Sequence, residues 1–314
     1  MIDNKITFSN DTNEWDRFQD DSIEGSVYLY SKYINSLNID NDKIYMKDKE
    51  DNILASAVIF KNFDRVPYSL YQGFSIANFN LSSQKKTAKR FLVISEFIRL
   101  ILLNYNKVFF SLSPNFIDLR PFQWVNYHEE NKPKFNLDIR YTGIIYLNNY
   151  QDFNKYLETI RAVRRRTIKQ ANKNKLTVME SKDINLFMDL YKKTFDRQAI
   201  KISNLDMVRS IISNAIKHGY GRMTVCFDDK NNPHSGMVML RDKIKAYYAF
   251  GASNPTYRKS DSATVLMGES IQKAFDFELQ QFDMCGVNSP NRGDFKLSFN
   301  ACLVKYFEAR YISK

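Results

Sequence analysis

The sequence predicts an α/β chain of mixed sheets in two halves, residues 1–150 and 151–314. Three observations carry that expectation. First, Phe91, Ile94, Ile98, Ile101 and Tyr105 recur at spacings of three and four, which marks a helix over 85–105 with one buried face. Second, short runs rich in β-branched and aromatic residues, at 53–60, 108–112 and 245–252, stand between helical stretches and read as strands. Third, residues 243–299 run in the order strand, basic loop, helix, strand, loop. The length of 314 residues suits one large or two ordinary domains, and 44% apolar residues can bury a core, which excludes a disordered chain.

Each element has a local cause. Residues 1–13 are polar and read as a loose end or an edge strand. A helical region over 15–37 is anchored by Phe18, Tyr28 and Tyr33. Strands at 43–47 and 53–60 flank a charged turn at 49–52, and Pro67 opens an extended piece to Gly73. After the helix at 85–105 and the strand at 108–112, Pro114 and Pro121 break the chain into a loop. Residues 126–138 read as surface loop, and a strand at 142–147 closes the first half.

The second half opens with a helix over 152–173, capped by Asp152, with Phe153, Leu157 and Ile160 on its apolar side. Arg161, Arg165, Lys169 and Lys173 fall every fourth residue, flanked by Arg164 and Arg166. That stripe is either a phosphate contact or a solvated face. A strand at 176–180 follows, then two helices marked by Ile184, Phe187, Tyr191, Phe195 and by Leu205, Val208, Ile211, Ile212, Ala215, the second ended by Gly219. A hairpin, 222–227 and 236–240 about the turn 228–232, leads into the strand 245–252. Met267, Ile271, Phe275 and Leu279 share one face of a helix over 264–279. A strand, a loop and a final hairpin complete the half.

Composition narrows the function. A net charge of +11 favours anionic partners. Cys226, Cys285 and Cys302 form no CxxC and read as buried thiols in a reducing cytosol. His128, His218 and His234 have no paired spacing, so no metal is expected. The longest apolar run, 53–60, is less than half a membrane span, and the expected location is the cytoplasm. Arg258, Lys259 and Ser260 precede a helix N-terminus, whose free N–H groups and dipole suit a phosphate; an ordinary capped helix is the alternative. Asp118 and Arg120, with Trp124 nearby, either orient a planar or anionic ligand or form a salt link that pins the loop over a core Trp124.

The stretch 243–299 resembles the core of the GNAT acyltransferase superfamily. Its loop pattern, [Q/R]-x-x-G-x-[G/A], is met by Arg258 and Ala263, with Asp261 where Gly is usual. That departure puts a negative charge where a pyrophosphate would sit. Asp283, Gly286, Phe295, Lys296 and Phe299 resemble the C-terminal signature of the FemAB-like branch, with Asn300 in place of its usual Gly. Asp118, Arg120, Pro121, Phe122 and Trp124 resemble that branch's D-x-R-P-F-x-W segment, and Arg161, Arg164, Arg165, Ile168 and Ala171 its R-x-x-R-R-x-I-x-x-A helix.

The resemblance implies two tandem GNAT-like domains, 1–150 and 151–314, with acyl-CoA as co-substrate of the second. It places coenzyme A against Phe250, Gly251, Arg258, Lys259, Ser260, Ala263, Asn288 and Phe295. Asp283 is the expected base, or else it pins the loop at Asn288 while a water relays the proton; Tyr248 is the expected proton donor, Asp118, Arg120, Trp124, Arg164 and Lys296 go to the acceptor, and Glu269 reads as structural. The implied reaction moves a short acyl group directly from acyl-CoA to the amine of a nucleotide-linked (dTDP- or UDP-) amino sugar for surface polysaccharide. Two alternatives stand beside it: transfer of an amino acid from charged tRNA to a peptidoglycan precursor, and a non-catalytic module binding an acidic partner or RNA.

Overall fold

The structure, a computed structural model, describes residues 4–61, 65–197 and 204–313. They form two compact units. One runs to Arg140 and resumes at Lys305; the other is Tyr141–Val304.

In the first unit, β1 (Lys5–Phe8) leads to α1 (Thr12–Asp21), whose N-cap Asp11 accepts from the amides of Asn13 and Glu14. After a short 3-10 turn come α2 (Ser31–Ser36), β2 (Asn41–Lys47), β3 (Ile53–Phe60) and β4 (Phe74–Ile76). The four strands form one antiparallel sheet in chain order. Asp48 tightens the β2–β3 turn by accepting from the amides of Glu50 and Asn52. The piece expected to be extended from Pro67 becomes strand only at Phe74, because Tyr68 and Tyr71 take positive φ. Then follow α3 (Ser83–Asn104), β5 (Lys107–Ser111) and α4 (Arg120–Gln123). The buried side of α3, Val93, Ile94, Phe97, Ile98 and Ile101, covers Phe74 and Phe110; Phe91 lies off that side, half-exposed. Phe74 meets Phe97 and Phe122 edge-on at 5.4 and 5.5 Å.

The second unit begins within β6 (Asn136–Tyr146). The single helix expected over 152–173 is two, α5 (Phe153–Leu157) and α6 (Ala162–Lys169). Asp152 does cap the first through the Lys155 amide. The chain breaks because Ile160 is buried and the Arg161 amide donates to the Ser298 carbonyl, so a tertiary bond outweighs helix propagation. The basic stripe therefore does not run along one continuous helix. Next are β7 (Thr177–Glu180), α7 (Ile184–Asp196), α8 (Leu205–Lys217), β8 (Gly221–Phe227), β9 (Pro233–Arg241) and β10 (Lys245–Ser253). They are followed by α9 (Ser262–Asp276), β11 (Gln281–Asp283), α10 (Pro290–Leu297) and β12 (Cys302–Ile312).

Strand order in this unit is β6-β11-β10-β9-β8-β7, antiparallel except for the parallel pair β10–β11. Gly268 lets α9 and α6 approach, since a Cβ there would stand 2.7 Å from Ile168 Cδ1. Two expectations are corrected at the C-terminus. The segment read as a loop after Ser289 is α10, started by Pro290 at its first turn, with Phe295 and Phe299 one turn apart and in edge contact. The final hairpin is instead one long strand, whose end returns to the first unit and pairs antiparallel with β5.

Candidate functional site

β10 is bordered unequally. On one side it pairs with β9 along almost its whole length, with a register shift between Tyr248 and Phe250 that leaves Ala249 as an extra, bulged residue. On the other side it pairs with β11 at three positions only, the last being Tyr247 with Asp283. β11 then ends, and the chain turns away through Cys285 and Gly286, at φ +54° and +90°. A parallel pair that parts just before a bulge leaves a wedge with backbone at its wall.

The turn is held from beneath. Asp283 is 2% exposed, and its Oδ1 accepts from Thr142 Oγ1 at 2.6 Å and the Cys285 amide at 2.7 Å. Thr142 in turn accepts from the Gly286 amide. Lys296, on α10 and 9% exposed, donates to the carbonyls of Met284 and Gly286 at 2.6 and 2.8 Å. Its ammonium lies 4.9 Å from the centre of the Tyr248 ring. Burial is the largest influence on Lys296 and pushes its pKa below the ordinary lysine value. Burial likewise raises the Tyr248 phenol, so it is protonated at neutral pH and fitted to donate a proton. Gly251 makes room for that phenol: a Cβ there would fall 1.9 Å from Tyr248 Oη.

A second cluster surrounds the start of α9. The basic loop is coiled into a 3-10 turn, Pro255–Ser260, that leaves Arg258 and Lys259 exposed. Tyr257 of this turn stacks on His234 at 3.9 Å. Asp261 takes the N-cap place at φ +61° but makes no side-chain cap. Ser260 Oγ accepts weakly from the Ser262 amide at 3.4 Å, and Ala263 is exposed in the first turn. Arg164 closes the cluster, donating to Thr264 and Ser298 at 3.1 and 3.0 Å with its guanidinium 4.7 Å over Phe295. Burial lowers the Arg164 pKa, and the Asp261 carboxylate opposes that.

Of the sequence-derived residues in this unit, Asp283, Tyr248, Gly251 and Lys296 gather at the wedge, and Arg258, Lys259, Ser260, Ala263, Arg164 and Phe295 gather at the α9 start. Phe250 is buried edge-on to Tyr191. Asn288 is engaged elsewhere, its side chain clamping both the amide and the carbonyl of Tyr141. Glu269, expected to be structural, is forked by Arg222 at 2.6 and 2.8 Å. Arg161 forks Asp294, and Arg165 donates to the Glu158 carbonyl. Sequence reasoning missed Thr142, and of the three cysteines expected to be buried only Cys226 is, since Cys285 is half-buried in the turn and Cys302 is exposed on β12. Nothing local marks Thr142, since its partner Asp283 is 141 residues away.

In the first unit, Arg120 forks Asp118 at 2.8 and 2.6 Å, and its guanidinium lies 5.0 Å over Phe91 and 5.9 Å from Trp124. Trp124 is 53% exposed rather than in the core, because α4 turns it outward against Phe91. These side chains line a groove of about 550 Å³ with Gln84, Thr87, Ala88 and Leu92. Among the described residues no cluster of metal-ligating side chains occurs, and no helix is long and apolar enough to cross a membrane.

Residues 154–296 match the family described as an acetyltransferase (GNAT) domain. The second half thus matches an acyltransferase domain of GNAT type. A search of curated proteins finds no match. Among solved structures, FemX superposes with a TM-score of 0.71 at 14% identity, covering 98% of this chain and 97% of its own. A tandem GNAT protein from the clavulanic acid biosynthesis pathway gives 0.54 at 9% identity, covering 99% and 98%. L-PGS from Bacillus licheniformis gives 0.53 at 12% identity, covering 95% and 91%. The fold is that of tandem GNAT proteins: mixed α/β, with two GNAT-like domains.

Proposed function

We propose that the chain is an N-acyltransferase whose second unit passes an acyl group from an activated ester to an amine. The observation that carries this reading is the wedge, where bulged β10 parts from β11 beside Tyr248 and Lys296. A carbonyl laid against β10 meets backbone donors and a buried ammonium, which stabilise the oxygen that gains charge as the amine attacks. The Tyr248 phenol supplies a proton to the leaving group. Asp283, expected as base, is assigned a positioning role: its Oδ1 fixes the turn whose carbonyls orient Lys296. The amine then loses its proton to solvent.

In its finer form the donor is acyl-CoA and the acceptor a nucleotide-linked amino sugar. Exposed Arg258 and Lys259 at the α9 start support a pyrophosphate there. One observation favours a second reading, an aminoacyl ester of tRNA as donor. Asp261 holds a carboxylate at the helix start where the pyrophosphate would sit, and α6 bears exposed Arg166 and Lys169. Mass spectrometry of mixtures separates the two. Acylated UDP- or dTDP-amino sugar formed from short acyl-CoA supports the first; product only with charged tRNA and a cell-wall precursor supports the second. No amide product from either donor refutes acyl transfer.

A further inference from the structure

The outer face of α3 and α4 plays no part in the chemistry above, and its composition is unusual. Residues 83–95 of α3 contain no Asp or Glu but include Lys85, Lys86, Lys89 and Arg90. Asp48 faces Lys89, and three other acids near this face are already paired. Arg90 holds buried Glu24, Arg120 forks Asp118, and Arg99 forks Glu96. Exposed apolar side chains stand among the lysines: Leu92 is 56% exposed and Trp124 53%, on either side of the groove floored by Ala88 and Phe91. Lys85, Ala88 and Leu92 share one helical face, so cation and apolar group project together.

We propose that this face docks on a membrane surface rich in anionic lipid. Trp124 and Leu92 enter the boundary between headgroups and acyl chains, and Lys85 and Lys89 meet the lipid phosphates. The argument is complementarity. Lysines beside protruding apolar and indole side chains, with Glu24, Glu96 and Asp118 each held by an arginine, match an anionic interface. The groove itself suits a phosphate poorly, because the Arg120 charge is balanced by Asp118. Docking of this kind needs no spanning helix. It goes beyond the acyl-transfer reading and does not depend on it.

The two tryptophans make the test direct. Trp15 is fully buried, so any change in emission on adding vesicles reports on Trp124. Full-length protein is titrated with phosphatidylcholine vesicles, with and without phosphatidylglycerol, and followed by emission and by flotation. The expected result is a blue shift and co-flotation with the anionic vesicles only, weakening as salt rises. Lys85→Ala and Lys89→Ala should each weaken binding about fivefold. Leu92→Ser and Trp124→Ser, both at exposed positions, should abolish flotation with the melting temperature unchanged. Absence of binding to anionic vesicles would overturn the proposal, as would flotation that survives both serine variants. Emission that responds to UDP or dTDP but not to vesicles would overturn it too, and would return the groove to a nucleotide.

Discussion

Replacing Asp283 distinguishes a base from a pin. The carboxylate is buried and accepts from one hydroxyl and one amide through the same oxygen. In Asp283→Ala both donors lose their acceptor. A hydrogen bond to a charged group contributes about 1.5–3 kcal/mol, so the expected loss of stability is about 3–5 kcal/mol. For a unit of this size that is a fall of roughly 6–20 °C in melting temperature. Asp283→Asn keeps an oxygen in place and should cost only about 1–2 kcal/mol. As a pin, the Asn variant should retain kcat within about tenfold, because Lys296 and Tyr248 stay where they are. As a base, it should lose about 10²–10⁴ in kcat, since an amide cannot take the proton. The assay is steady-state turnover with whichever donor, acyl-CoA or charged tRNA, gives product in the mass-spectrometric screen, paired with thermal unfolding of the same preparations. A loss above 10² in Asp283→Asn, with the melting temperature held and KM unchanged, would refute the positioning role.

Three further substitutions probe the same unit. Lys296→Met should lower kcat by about 10²–10³, the usual effect of removing one oxyanion donor, and turnover of the unaltered enzyme should decline with rising pH earlier than an ordinary lysine would allow. The sign follows from burial: the folded protein releases this proton before the unfolded chain does, so the destabilisation is complete below the folded pKa and is relieved as pH rises toward the ordinary lysine value; a rate profile flat to the ordinary lysine value would contradict it. Gly251→Ala should displace the Tyr248 ring and reduce kcat more than it raises KM, which kinetics at saturating donor will read. Asp261→Gly relieves a left-handed residue and removes a carboxylate, so it should stabilise the protein by about 1 kcal/mol and tighten coenzyme A in a calorimetric titration; unchanged affinity would disconnect this loop from the pyrophosphate.

What was legible in the sequence was what short-range patterning controls. The buried side of α3, the β2–β3 and β8–β9 hairpins and the α9 face follow from spacing and turn chemistry, and each lies within a few residues of its predicted bounds. The failures share a different cause. The helix over 152–173 breaks because the Arg161 amide bonds to Ser298, 137 residues on in the chain, and no local propensity carries that information. α10 was hidden because Asn291, Gly293 and Asp294 read as loop, and helix is favoured only once Phe295 has Arg164 to cover it and Lys296 has two carbonyls to reach. The same limit applies to the site. Asp283, Phe295 and Lys296 could be named from a resemblance, but Thr142 could not, since its part depends on β6 lying beside β11.

That arrangement on α10 makes a mechanical argument about the unit. Phe295 lies beneath Arg164 at the anion-facing end, and the next residue, Lys296, sits over Tyr248 at the wedge. Adjacent residues on a helix point about 100° apart, so a helix of this length can address two clusters without flexing. Ser298 extends the link, accepting from Arg164 through its hydroxyl while its carbonyl takes the Arg161 amide. An anion that draws Arg164 away from Thr264 and Ser298 therefore acts on the helix that carries Lys296. On the proposed reading, binding energy from the phosphate end of a donor would be delivered by this short path to Lys296, the group assigned to the reacting carbonyl. A donor truncated to its acyl-pantetheine part should accordingly lose kcat as well as affinity, and an unchanged kcat would show that the two clusters act independently.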